Sequence, residues 1–571
     1  MSKKTYKTKQ AEQRGVRPAS KPAAAPRERK KIVLPTLLLF MVAVWAWGSF
    51  YYGCLFHVSR EFSFWATDTR LMQFVLCQNF GPLRYVGRLL LQLYQYPWLG
   101  GLCLSLMLGM ISWLTGYCLR LPARWRLVQY VPALCCLAAI THQGLDIFFE
   151  TETGYIMGIP FVVLLVLCIW AVMIRSFSRK PMPTMLGLPK DESTRQNLTC
   201  LACVTLAFAA IIAWGEWKRP YVRVICQEMG MQYQQDWAGI ERVARQNATQ
   251  SNRPMAAYYA MALIHTGQIA ERMYDIRLDY DSLYLHGNGG MLNNGSPLYE
   301  PEGNYHAGFI EPCMHYCMEQ MVMTGPTSRL LKLLVKCSLM RGEWELSRKY
   351  LRLLGDVPFE GEFVEKYQAM VNNPEKVNAD SEMARLRLTE PIHDSFENQY
   401  QQPFFMGYNL NLVEARSVEA LYNSLCVCLY TKLMPPFLMR AQYIKGSTPP
   451  EIIADGLLVS EMKHPGASQG YGNLEMRATR LDGFIQAIQP YLKDRPGNAY
   501  KLFERYKGYY PYYYFFGNLK ATKKGYTGGC KLTRYDKTTH TLYNRRLPAA
   551  HADPHCCLHT PGTAARPVHR T

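Results

Sequence analysis

The sequence predicts an all-α protein: a polytopic α-helical membrane region of about five spans, followed by an α-solenoid-like helical-repeat domain. Three observations predict this. Charged residues make up only 19% of the 571 residues, below the roughly one quarter usual in soluble proteins. Five apolar windows precede residue 216, each near the ~20 residues that cross a bilayer as a helix. Beyond them, apolar residues recur at helical spacing, and one segment has the form of a repeat.

The net charge of +20 is concentrated at the two ends of the chain. Residues 1–31 carry eleven Lys and Arg against two acids, and residues 520–571 carry ten against two. The body between them is nearly neutral, which argues against nucleic-acid binding, since that function needs a basic patch on a folded face. The 18 cysteines are too few for a disulfide scaffold.

Both basic ends are expected to be disordered. Residues 1–31 are rich in Lys, Arg, Ala and Pro, lack an apolar period and stop directly before the first apolar window. We interpret them as a cytoplasmic tail that orients the first span. Residues 521–571 also lack an apolar period and are rich in His, Arg and Pro, as expected of a disordered tail.

The predicted membrane domain covers residues 32–214. The third window is the weakest because it contains His142, Gln143 and Asp146. Tyr and Trp at the window edges fit the interfacial belts of membrane proteins. The predicted spans are, in order, 32–56, 98–119, 127–147, 155–174 and 198–214.

The loop charges predict the orientation of these spans. Residues 120–126 carry three Arg and no acid, whereas residues 142–153 carry Asp146, Glu150 and Glu152 and no base. Residues 175–197 are again rich in Lys and Arg. By the positive-inside rule the N-terminus is cytoplasmic, and five spans place everything after Trp214 in the periplasm. The predicted location is therefore the inner (plasma) membrane.

Residues 215–520 form the predicted periplasmic helical-repeat domain. Within 327–358, one face carries Leu330, Leu331, Leu334, Val335 and Ser338, and a second helix carries Trp344, Ser347, Leu351 and Leu354. Gly342 lies at the turn between the two helices. This segment resembles a tetratricopeptide repeat, although the first helix lacks the usual Trp and Gly.

Weaker signals surround this pair. The spacing between Trp237 and Ile269 is close to the length of one repeat, so the two residues could begin equivalent helices of successive repeats. Further helical stretches are predicted at 411–433, 437–445, 449–463, 474–492 and 496–507. Residues 284–312 are rich in Gly, Asn and Pro and predict a long loop, either a functional one or a surface excursion. A stack of repeats is the preferred interpretation, and a non-repetitive helical bundle is the alternative.

Three segments together resemble a known family. They are FGPLRYVGRLLLQLYQYPWLG, MAAYYAMALIHTGQIAERMYDIRLDYDSLYLHGNGG and YHAGFIEPCMHYCMEQMVMTGPTSRLLKLLVKCSLMRGEWELSRKYL. They look like an uncharacterised Bacteroidota family of multi-span inner-membrane proteins with a C-terminal periplasmic tetratricopeptide-like domain. The resemblance covers about residues 32–520. It implies architecture and compartment and supplies no catalytic residues.

Candidate chemistry is sparse. Glu61 and Asp68 lie in the predicted first extracytoplasmic loop, where lipid-linked glycosyltransferases place a catalytic base. Asp146 and Glu150 lie near the same membrane face. A glycan-processing or glycosyltransferase-like enzyme using Glu61 or Asp68 is thus the alternative function. The structural explanation is a loop carboxylate that pairs with Arg60 or Arg70.

Other motifs are better explained by structure. Gly466, Ser468 and Gly470 match a nucleophile elbow, but a helix precedes them where the motif needs a strand. Cys313, His315 and Cys317 could share a metal, as could Cys426 with Cys428, yet buried free cysteines are commoner. The aromatic segment 505–517 fits sugar stacking, a lipid interface or helix packing.

The sequence therefore predicts a membrane scaffold. Helical repeats present large surfaces to partners rather than reactive groups. The expected partners are the lipid bilayer and other envelope proteins, with no nucleic acid, no cofactor and no metal.

Overall fold

The computed structural model describes residues 36–121, 123–145, 152–177, 194–247, 252–278, 296–391 and 415–517. Within these ranges every regular element is a helix, and the β-structure found there is one isolated bridge between Pro391 and Ala415. The all-α prediction is therefore confirmed. The two basic ends, 1–31 and 521–571, lie outside the described residues.

The first half of the chain, described here from Thr36 to Lys218, holds the predicted spans, and we call it the membrane half. It begins with a bent helix. The helix from Thr36 passes through a π-helical turn, Trp47–Tyr51, and then bends by 63° into the next helix. The described helices of this half are α1 (Thr36–Ala46), α2 (Gly53–Glu61), α3 (Thr69–Leu76), α4 (Gly81–Leu91), α5 (Pro97–Cys118), α6 (Val131–Leu145), α7 (Tyr155–Phe177) and α8 (Thr194–Lys218).

The prediction of about five spans is confirmed only in part. Three described helices are long and apolar enough to cross a membrane, namely Pro97–Cys118, Tyr155–Ser176 and Gln196–Lys218, or four spans if the bent pair counts as one. The first window is broken because a π-helical turn interrupts the α-helical ladder, a known cause of kinks. The third window is divided between a 3₁₀ segment, Ala123–Tyr130, and the 15-residue α6.

The second half, from Val222 to Phe516, is a series of shorter helices, and we call it the helical half. They are α9 (Val222–Tyr233), α10 (Trp237–Asn247), α11 (Arg253–Thr266), α12 (Ile269–Arg272), α13 (Ser296–His306), α14 (Ile310–Thr324), α15 (Ser328–Arg341), α16 (Trp344–Gly355), α17 (Gly361–Asn372), α18 (Glu375–Ala379), α19 (Ser381–Thr389), α20 (Val418–Thr431), α21 (Met434–Ala441), α22 (Glu451–Glu461), α23 (Glu475–Ile488), α24 (Arg495–Tyr506) and α25 (Tyr510–Phe516). The stretches predicted after residue 410 correspond to α20 to α24.

The helix pair predicted at 327–358 is present as α15 and α16. Thr327 caps α15 by accepting a hydrogen bond from the Leu330 N–H at 3.2 Å. Gly342 ends α15 in the left-handed region, with φ of 75°, which a side chain would disfavour. The two helices meet at small residues, and the hydroxyls of Ser338 and Ser347 lie 2.7 Å apart.

The predicted loop 284–312 is partly wrong. Residues 279–295 are outside the described part, but 296–306 form α13 despite an internal Pro301. Tertiary contacts outweigh the weak local propensity. Leu298, Tyr299 and Tyr305 are buried, so α13 is held by its packing rather than by its composition.

The two halves share buried apolar clusters. Helix α2 packs on α9 and also contacts α15. Phe64 and Ala66, which follow α2, belong to the same buried cluster as residues of α14 to α19. The peptide N–H of Ser328 donates to the Ser63 carbonyl at 3.1 Å. The end of α2 therefore forms a junction between the membrane half and the helical half.

Candidate functional site

The junction contains a buried guanidinium. Arg60 lies in the last turn of α2 and is 0% exposed. Its Nε donates to Gln92 Oε1 at 3.1 Å, and its Nη2 donates to the Pro358 carbonyl at 3.0 Å. Its Nη1 lies 2.5 Å from Glu61 and 2.6 Å from Glu360. Arg60 thus ties α2 to the chain just before α17.

A second cation completes the cluster. Lys332 of α15 places Nζ 2.9 and 3.0 Å from the two oxygens of Glu61, and 2.9 Å from Glu360. The four side chains of Arg60, Glu61, Lys332 and Glu360 form a charge-balanced group, which we call the junction cluster. A buried charge is costly unless it is paired, and each carboxylate pairs with both cations.

This geometry gives Glu61 a structural role. Its side chain is 4% exposed, and both oxygens are taken by the cations. A general base must reach a substrate proton at hydrogen-bond distance, and its basicity falls when two cations stabilise its charged form. The alternative in which Glu61 is a catalytic base therefore gains no support from the site.

The second predicted carboxylate is placed differently. Asp68 is exposed and accepts a hydrogen bond from the Arg70 N–H at 2.9 Å, at the start of α3. The junction cluster does not include it. Asp146 and Glu150, the other acids considered, lie outside the described residues.

A polar cavity of about 400 Å³ adjoins the junction. Residues of both halves line it, among them Gln78, Arg84, Arg88, Glu152, Thr327 and Arg329. Arg88 forms a bidentate pair with Glu152, with N–O distances of 2.9 and 2.6 Å. This pairing lowers the pKa of the Glu152 carboxyl against the opposing effect of burial, so the carboxylate is charged at neutral pH.

The sequence does not predict several other buried charged residues. Arg329 is 2% exposed and pairs with Glu302 of α13, while its guanidinium lies 4.5 Å from the Phe62 ring. Lys336 pairs with Glu382 at 2.9 Å. One sequence signal could have revealed these ion pairs. Charged residues occur on the apolar faces of α13 and α15, and a charge there must be paired because an unpaired buried charge is costly.

A buried histidine pair lies elsewhere in the helical half. The His265 Nε2 and His306 Nδ1 atoms are 2.7 Å apart, and the His265 ring stacks on Trp237 at 4.0 Å. Burial lowers the pKa of His265 to about 4 and that of His306 well below its ordinary value. Both rings are neutral at pH 7, and we assign the pair to packing.

The cysteine motif is divided between two faces of α14. Cys313 and Cys317 are fully buried. His315 instead pairs with Glu319 at 2.9 Å on the opposite, partly exposed face. Cys426 and Cys428 are both buried. No group of three or more potential ligands suited to a metal ion occurs in the described ranges.

Two other motifs are structural. Gly466, Ser468 and Gly470 lie in a turn whose Gly466 and Ser468 N–H groups donate to Glu461, which confirms the loop interpretation. The aromatic segment packs inward. Tyr510 and Tyr513 are buried against Tyr274 and Tyr430, which favours helix packing over sugar stacking.

Comparison with known proteins identifies a family without a known activity. No curated protein and no solved structure matches the chain. A model described as "Family of unknown function (DUF6057)" matches residues 29–209 and 198–517. These matches cover most of the chain, including the junction cluster and the cavity. The chain therefore belongs to this uncharacterised family, DUF6057.

Proposed function

We propose that the protein is a scaffold of the cell envelope, whose helical half presents a binding surface to other envelope proteins. The observation that carries the proposal is the packing order of this half. From α14 to α19 each helix packs mainly on its neighbours in sequence, as in helical-repeat proteins. The tetratricopeptide-like pair α15 and α16 lies within this series. From the family resemblance we also propose that the protein comes from the Bacteroidota and lies in the inner membrane.

The proposed topology has five crossings with the helical half in the periplasm. Arg88, which precedes α5, pairs with Glu152, which precedes α7. In this topology α5 takes the chain from the side of Arg88 to the opposite side of the membrane. A return crossing between α5 and Glu152 is then needed to bring Glu152 back to Arg88. Helix α6 spans about 22 Å, and the 3₁₀ segment before it adds about 16 Å. Together they are long enough to return, which supports a third crossing through α6.

The helical half carries exposed apolar side chains suited to protein contacts. Tyr443 is 73% exposed and lies four residues after Met439, which is 54% exposed. Met476 of α23 is 79% exposed. Met and Tyr are enriched at protein interfaces. An enzyme of the glycosyltransferase type would instead need an accessible carboxylate in a substrate cavity. Glu61 is occupied by Arg60 and Lys332, and the exposed Asp68 is not among the residues that line the cavity at the junction.

Site-specific photo-crosslinking in growing cells tests the proposal. A photoreactive phenylalanine at position 443 or 476 should give discrete, light-dependent adducts with the same envelope protein. The same residue at position 510, which is fully buried, is the matched control and should give none. If positions across the exposed helical surface give no adduct beyond the chain itself, the scaffold proposal is wrong.

A further inference from the structure

The cavity at the junction has a cationic character. Three guanidiniums, those of Arg84, Arg88 and Arg329, line it, and Glu152 is the carboxylate in its wall. The charge of Arg329 is compensated by its ion pair with Glu302 of α13. Among the described residues, two carboxylates against three guanidiniums leave one net positive charge, on the side of Arg84 and Arg88.

Arg84 holds this excess charge. Arg88 occupies both oxygens of Glu152, whereas Arg84 Nη1 is 3.9 Å from that carboxylate. Two further contacts of Arg84, with described residues, are with neutral groups. Its Nε donates to the Tyr155 hydroxyl at 3.1 Å, and its Nη1 donates to Gln78 Oε1 at 2.6 Å. These contacts fix the guanidinium while its charge is not fully compensated.

The cavity lies where a membrane span begins. Thr153 lines the cavity, and the candidate span Tyr155–Ser176 starts two residues later. A bilayer crossed by this span would bring its headgroups to the level of Arg84 and Glu152. The planar fork of an arginine side chain matches phosphate oxygens and binds them by charge-assisted hydrogen bonds.

Apolar side chains flank the cavity on two segments. Phe74 and Phe80 are 52% and 73% exposed, and Gln78 between them lines the cavity. On the other side, Val322 and Met323 are 88% and 56% exposed, and Met323 is itself a lining residue. Exposed apolar groups beside a cationic cavity are suited to acyl chains below a charged headgroup.

We propose that this cavity binds the phosphate group of an anionic phospholipid at the membrane surface. One net positive charge matches the single negative charge of a phosphodiester, and Arg84 and Arg88 supply the donors. The apolar side chains of Phe74, Phe80, Val322 and Met323 contact the acyl chains. The site rests on the proposed membrane location but not on the scaffold role, because its ligand is a lipid rather than a protein partner.

The test is lipid binding to the purified full-length protein, measured by native mass spectrometry with phosphatidylglycerol. Arg84→Gln should weaken binding about tenfold, the cost of one charge-assisted hydrogen-bonded contact. Arg84→Lys should retain part of the binding. Arg223→Gln is the matched control: Arg223 also lies over a tyrosine, Tyr51, and beside one carboxylate, Glu216, but it does not line the cavity. It should bind like the wild type.

Two further binding measurements distinguish a phospholipid from a soluble phosphate ester as the ligand. A diacylglycerol with the same acyl chains should not bind at the site, because it lacks the phosphate. Glycerol 3-phosphate should compete only weakly, and equal competition would support the phosphate site but assign it to a soluble ester. Melting temperatures of all variants verify folding. Equal phosphatidylglycerol binding by the wild type, Arg84→Gln and Arg84→Lys would overturn the proposal.

Discussion

At the residue scale, the junction cluster is a set of charges in which each member depends on the others. Lys332 is 21% exposed, whereas Arg60, Glu61 and Glu360 are nearly inaccessible to solvent. A buried ion pair is not itself strong evidence for stability, because desolvation offsets the attraction. Removing one member has a larger effect, since the remaining charges keep their desolvation cost and lose their compensation.

Glu61→Gln tests this dependence. The substitution leaves Arg60 and Lys332 facing only Glu360, and we expect it to destabilise the protein by about 3–5 kcal/mol. Thermal unfolding of the full-length protein in detergent, followed by circular dichroism, measures the effect. Glu345→Gln is the control. Glu345 is 82% exposed and pairs only with Arg348 within its helix, so its loss should change stability by less than about 0.5 kcal/mol. Similar melting of both variants would contradict the expected role of Glu61.

At the element scale, local signals predicted helices well, whereas contacts distant in sequence were not predictable. The end of α15 followed from Gly342, because a helix commonly ends where a residue adopts positive φ. In contrast, Glu61 and Lys332 are 271 positions apart, and no periodicity relates them. Helix α13 was missed because buried contacts stabilise a segment whose Gly and Pro content predicts a loop. The sequence thus predicted Glu61 as a candidate and Arg60 as a possible partner, and the pair is present, but it did not predict Lys332 or Glu360.

The α15–α16 pair allows a prediction on repeat behaviour. Leu351 is 1% exposed, so Leu351→Ala should cost about 2–5 kcal/mol. Trp344 is only partly buried, and its ring packs beside Gly342, so Trp344→Ala should cost less, about 1–2 kcal/mol. In a repeat array the Leu351→Ala loss is local, and hydrogen exchange should accelerate across 327–358 and the adjacent helices. Protection beyond Gly472 should persist. Uniform loss of protection would show one cooperative bundle instead.

At the scale of the whole molecule, contacts between distant segments restrict the proposed membrane topology. Glu61 contacts Lys332, and Arg88 contacts Glu152. The proposed topology must therefore place the end of α2, the start of α7 and the segment around Lys332 on one side of the membrane. Charge supports the same arrangement, since residues 120–126 and 175–197 are basic and are the segments expected at the opposite, cytoplasmic face.

Reporter fusions test this topology and the role of α6. Alkaline phosphatase is active only outside the cytoplasm, and green fluorescent protein exported in unfolded form fluoresces only inside. Fusions after Arg120 and Ser178 should report the cytoplasm, and fusions after Glu152 and Asn247 should report the periplasm. The comparison between Arg120 and Glu152 is decisive for α6, because only α6 and the 3₁₀ segment before it can move the chain across between them. If both fusions reported one compartment, α6 would not cross, and the Arg88–Glu152 contact could not form in a membrane. If the Ser178 and Asn247 fusions agreed, α8 would lose its assignment as a span, and the helical half would no longer be placed in the periplasm.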